Sequence, residues 1–83
     1  MKVHVYNDKD IEDIILNVCG KNPTRECLEY FVELNAFKYH FYRKNPENRD
    51  KHFHEVMLDN YANSIRVGMD MVDKLDQGQL ELF

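Results

Sequence analysis

Four histidines, two cysteines and 15 acidic side chains are the residues of this 83-residue chain best suited to chemistry. His52, His54 and Glu55 form a His-x-His-Glu group, with His40 on the far side of a predicted turn, and imidazole and carboxylate are zinc ligands. On a helix, however, residues two apart point about 200° away from each other, so His52 and His54 cannot share one ion unless that turn unwinds. No metal site is expected. Ser64 is the single serine, no glycine-rich elbow surrounds it, and three glycines in the whole chain leave no phosphate-cradling loop. Nucleophilic catalysis therefore has no constellation to work with, and neither a catalytic residue nor a cofactor is expected.

The acids are the second resource. Glu26, Glu29 and Glu33 recur along one side of a predicted helix, and Asp59, Asp70 and Asp73 lie on a later one. Facing pairs of this kind hold magnesium. The pattern resembles the helical nucleotide pyrophosphohydrolases, which carry Glu-x-x-Glu followed by Glu-x-x-Asp. Glu26-x-x-Glu29 matches the first half, while Asp70-x-x-Asp73 departs from the second in residue and spacing. The resemblance implies magnesium-dependent hydrolysis and stands as the alternative; solvated helix faces account for the same acids.

Lys38, Arg43, Lys44, Arg49 and Lys51 interleave with Tyr39, His40, Phe41 and Tyr42, a mixture that offers phosphate contacts and stacking to nucleic acid. The same cations favourably offset the dipole at a helix end. A net charge of −4 argues against a general phosphate-binding surface. These five residues are candidate nucleic-acid contacts, and direct DNA contact is expected to be weak.

The last five residues read Gln79-Leu80-Glu81-Leu82-Phe83. They resemble the pentapeptide, Gln-Leu-Ser/Asp-Leu-Phe, with which bacterial replication and repair proteins dock on the DNA sliding clamp. Four defining positions match, and Glu81 occupies the variable third. The resemblance covers those residues alone. It implies that Gln79 hydrogen-bonds at the rim of a groove between two clamp subdomains, with Leu80 nearby and with Leu82 and Phe83 filling an apolar pocket. A few buried apolar anchors supply most of the energy in such docking. A flexible Gln-Gly pair and a predicted helix stop precede the motif, the accessible setting a linear peptide requires.

Length and composition bound what surrounds these residues. A chain of 83 residues makes one small domain, and hydrophobic and charged shares of 43% and 31% are those of a folded globular protein. Nothing resembles a signal peptide or a membrane span, so a cytoplasmic location is expected, with no membrane partner. Cys19 and Cys27 fall on apolar faces of predicted helices and are read as small buried thiols rather than a disulfide.

Three helices must position these groups. Asn7 or Asp8 caps a first one over Lys9 to Cys19, with Ile11, Ile14, Ile15 and Val18 at helical spacing and Gly20 as its stop. Asn22 and Pro23 open a second, running to about Arg43, with Cys27, Phe31, Leu34 and Phe41 as its main apolar stripe, widened by Leu28, Tyr30 and Phe37. Its aromatic residues go more than halfway round, which predicts that part of them faces a second subunit. Pro46 breaks the pattern, and a third helix is expected from Glu47 or Asn48 to Asp76. Its seam is Leu58, Tyr61, Ile65, Gly68, Val72 and Leu75, with methionines 57, 69 and 71 beside it as core filler. Val3 and Val5 alternate with polar neighbours in a short extended arm, which must lie along a helix, pair with its copy or stay mobile, the first two being favoured.

The expected fold is therefore all-α: three helices with a long antiparallel hairpin, a short extended N-terminal arm and a flexible C-terminal tail. Residues 1–76 form the single helical domain and residues 77–83 the linear motif. The expected function is that of a small non-enzymatic DNA replication or repair accessory protein, an adaptor or inhibitor of phage or mobile-element type. It binds the sliding clamp and forms a homodimer. The remaining alternative is a structural helical homodimer whose C-terminus packs on its own core.

Overall fold

The computed structural model describes residues 4–46 and 50–78, which form three α-helices: α1 (Asp8–Cys19), α2 (Arg25–Lys44) and α3 (Lys51–Asp76). The fold is all-α. Each start is set by a short polar side chain. Asn7 caps α1 in a reciprocal box, Asp10 N–H donating to Asn7 Oδ1 at 2.8 Å and Asn7 N–H to Asp10 Oδ2 at 3.2 Å. Helix α2 begins later than Asn22 and Pro23 suggest. Thr24 Oγ1 accepts from Cys27 N–H at 3.1 Å, so the hydroxyl one residue beyond the proline sets the boundary, and Pro23 is buried in the preceding turn. Asp50 likewise caps α3, accepting from Phe53 N–H at 3.1 Å. That moves the start from the expected Glu47 or Asn48, which lie outside the described residues, to Lys51.

Helix α2 ends where Pro46 disfavours helical angles at Asn45, whose φ is −125° and whose N–H and side-chain amide both donate to Phe41 O. The chain then reverses. Arg25 is ion-paired with Asp76 at one end of the α2–α3 pair, Phe31 lies against Gly68 in the middle, and Tyr42 stacks on Tyr61 nearer the other end. The residue numbers of each pair sum to nearly the same value, the signature of an antiparallel hairpin. Gly68 permits the close approach: a Cβ there would sit 2.6 Å from Val32 Cγ2 and 3.4 Å from Phe31 Cδ1.

Helix α1 lies across one end of this hairpin, alongside α3 and in the same direction. Asp8 pairs with Arg66 near its start at 2.5 Å, and Cys19 is disulfide-bonded to Cys27 at its finish. The expectation of two separate thiols is thus overturned. Gly20, at φ +82°, and the turn through Pro23 fold α2 back so that the two Cα atoms are 5.8 Å apart, within disulfide reach. Closing so short a loop stabilises the fold by about 2.5 kcal/mol on the chain-entropy account.

The core consists of Ile11 and Ile15 from α1, Leu28 and Phe31 from α2, and Val67 and Met71 from α3, with Leu16, Cys19, Val72 and Leu75 packed against it. Several expected core positions turn outward. Ile14 and Val18 of α1, and Leu34 and Phe41 of α2, are exposed. The reason is angular: one helical stripe of each is consumed by Ile11 and Ile15, or by Leu28, Phe31 and the buried Asn35, and the other apolar positions fall outside it. Asn35 is tolerated inside because its amide donates to Phe31 O at 2.8 Å. On α3 the predicted seam does face inward, but Val67 and Met71 beside it are more buried, because α3 serves α1 as well as α2.

The described part of the N-terminal arm lies along α3. The Asn60 side chain donates to His4 O at 2.8 Å and accepts from Tyr6 N–H at 3.1 Å, replacing the neighbouring strand that an extended segment otherwise needs. Val5 is exposed there, and Val3 lies outside the described residues. No described helix is long and apolar enough to cross a membrane.

Candidate functional site

The clamp-type segment begins one residue after the last described one. Helix α3 ends at Asp76; Gln77 N–H donates to Asp73 O and Gly78 N–H to Leu75 O, each at 3.1 Å, and Gly78 adopts φ +69°. A glycine in that conformation ends a helix without strain. Gln79, Leu80, Leu82 and Phe83 themselves lie outside the described residues.

The basic candidates divide. Arg43 and Lys44 occupy the last turn of α2 and Lys51 opens α3, so three exposed cations come together where the hairpin reverses. Arg49 is outside the described residues. Lys38 is half-buried farther along α2, its Nζ 6.0 Å from the centre of the Tyr61 ring. That position suits a cation held over an aromatic face better than a phosphate ligand. Tyr39 and His40 meet edge to face at 5.5 Å, and Phe41 and Tyr42 at 5.3 Å.

Of the acidic rows, Glu29, Glu33 and Asp73 line a groove of about 240 Å³ whose floor is Val32, Met69 and Val72. Glu26, Asp59 and Asp70 do not line it. Glu29 pairs with Arg25 at 3.4 Å and Asp70 with Lys74 at 3.5 Å. Hydrogen bonding to Asp76 raises the Arg25 guanidinium above its ordinary value, and Asp8 does the same for Arg66. Several of these carboxylates are thus engaged by neighbouring cations. Among the described residues no three His, Cys, Asp or Glu side chains converge to hold a metal. His52 is exposed, while His54 is partly inside, its Nδ1 buried without a hydrogen-bond partner among the described residues.

Part of what the sequence offered as the apolar stripes of α1 and α2 lies on the surface. Tyr30, Leu34, Phe37 and Phe41 form an exposed line along α2, continued on α1 by Ile14 and Val18. Beside it opens a cavity of about 300 Å³ between the helices, with Tyr6, Tyr30, Leu34 and Tyr61 among its walls. The detectable signal was the surplus of aromatic residues around α2, more than one buried stripe can use.

No protein-family model, no curated protein and no solved structure matches the chain. The functional reading accordingly rests on the residues themselves.

Proposed function

We propose that this protein is a small, non-enzymatic accessory factor of DNA replication or repair that docks on a DNA sliding clamp through Gln79, Leu80, Leu82 and Phe83. The observation that carries the reading is the segment Gln-Leu-Glu-Leu-Phe immediately after the glycine turn that closes α3. A linear peptide must leave its own helix to enter a partner's groove, and Gly78 at φ +69° supplies a place to do so. Leu82 and Phe83 are the anchors and Gln79 fixes register. One peptide of this size binds at about micromolar strength. By occupying the groove, the protein acts as an adaptor when its body carries cargo and as an inhibitor when it only competes. The non-enzymatic reading is supported by the ion pairs that engage Glu29 and Asp70, two of the six acids of the hydrolase-like pattern. Cytoplasmic residence follows from the partner, and in a reducing compartment Cys19 and Cys27 would spend part of their time as thiols.

Titration of a purified bacterial clamp with the full chain, followed by interferometry, tests this. The expected dissociation constant is about micromolar, rising at least about 30-fold in Leu82→Ala/Phe83→Ala while the circular dichroism is unchanged. Equal binding by wild type and variant, or none at about 100 micromolar protein, would sink the proposal.

A further inference from the structure

Helix α2 is apolar on two sides. One side carries Leu28, Phe31 and Asn35 into the core; the other carries Tyr30, Leu34, Phe37 and Phe41 in steps of four, three and four residues. That spacing keeps side chains in line over three turns of a helix and is the spacing with which two helices mesh. Tyr30 is 60% exposed, Phe37 68% and Phe41 45%. With roughly 200 Å² for each ring, these three alone leave about 350 Å² of aromatic surface uncovered, to which Leu34, Ile14 and Val18 add. A continuous apolar patch of this size is of the order of the largest that a monomeric protein exposes, and such patches often mark interaction sites. With its polar margins it approaches the roughly 800 Å² per partner of a stable complex.

We infer that this face binds a second copy of the same chain, with the two α2 helices packed antiparallel about a twofold axis near residues 35 and 36. The charges along α2 select both occupant and direction. Its first half carries Glu26, Glu29 and Glu33 against Arg25, and its second half Lys38, Arg43 and Lys44. At about 100° per residue, Glu26 and Lys44 fall on the same flank of the exposed line, one beyond each end of it. An antiparallel pair sets Glu26 of one copy beside Lys44 of the other, twice over. A parallel pair would leave Glu26 of one copy and Lys44 of the other about 27 Å apart along the helices, with no such pairing. The line of large side chains is self-complementary when reversed, as an isologous interface requires. The aromatic residues beyond the core thereby acquire a role, and the inference does not rest on clamp binding by the C-terminal segment.

Sedimentation equilibrium of the full chain over a range of concentrations reads the outcome. Wild type is expected to dimerise, and Phe37→Glu to stay monomeric with unchanged helicity, since Phe37 lies outside the core. Glu26→Lys and Lys44→Glu should each weaken the dimer about tenfold, and the double exchange in one chain should restore it. A chain lacking residues 79–83 should dimerise as wild type does. Four results would overturn the proposal: a monomeric wild type, an undiminished dimer in Phe37→Glu, single exchanges without effect, or stronger association once residues 79–83 are removed. The last would mean that the chain's own C-terminal segment covers this face.

Discussion

The two ends of the α2–α3 hairpin are built from the same two helices and differ in what lies across them. At one end α1 adds a third layer, and the six apolar side chains buried among the described residues, the Cys19–Cys27 disulfide and the ion pairs Asp8–Arg66 and Arg25–Asp76 are found there. At the other, residues 37–44 face residues 57–64, and no third helix among the described residues lies across them. Two helices alone cannot enclose a core, so that end relies on ring contacts such as Tyr42 on Tyr61 at 6.0 Å and displays Arg43, Lys44 and Lys51. Stability is concentrated where three helices meet.

The sharpest way to break this contrast is at its strong end. Ile15 is fully buried in α1 against both other helices, and Ile15→Ala should cost about 2 to 5 kcal/mol, transfer and cavity terms together. A domain of this length holds about 4 to 12 kcal/mol in total, so the midpoint of thermal unfolding should fall by more than about 10 °C. A fall of only a few degrees, measured by circular dichroism, would mean that α1 is not the layer that closes the core.

The disulfide comes next in size. Cys19→Ala/Cys27→Ala, or reduction of the wild-type pair, should remove about 2.5 kcal/mol and lower the melting midpoint by about 10 to 20 °C. Reduction should leave the double variant unaffected. Equal midpoints in oxidised and reduced protein would show that the loop between α1 and α2 is already fixed by Pro23 and the Thr24 cap.

These same two sites mark how far the sequence could be read. Three helices, the hairpin and its endpoint at Asp76 were legible because apolar periodicity and capping side chains are local signals. Which of two apolar stripes turns inward was not. Ile14 with Val18, and Leu34 with Phe41, have the spacing and hydrophobicity of core residues, and only the placement of a third helix decides that Ile11, Ile15, Leu28 and Phe31 are buried instead. The pairing of Cys19 with Cys27 was hidden for a related reason. Both sit on apolar faces, and their meeting depends on the angle at which the Gly20–Pro23 turn returns the chain. The candidate site divides similarly. The Gln79–Phe83 motif is a word readable without a fold, whereas the exposed line on α2 exists only once the core has been assigned elsewhere.

The smallest expected effect on stability lies at the open end, and it bears on DNA. Arg43 and Lys51 are exposed, one closing α2 and the other opening α3, so reversing both touches no core contact. Lys44 is left intact because it borders the proposed dimer face. Arg43→Glu/Lys51→Glu should shift stability by no more than about 0.5 kcal/mol in either direction. If this end contacts phosphates, wild type should bind a short labelled duplex weakly at low salt. The logarithm of its affinity should fall against that of the salt concentration with a slope of about −2 to −3, the value for two or three neutralised phosphates. Each lost cation should flatten that slope by about one, so the double variant should bind with little salt dependence. Identical slopes for the two proteins would assign Arg43 to the helix dipole alone.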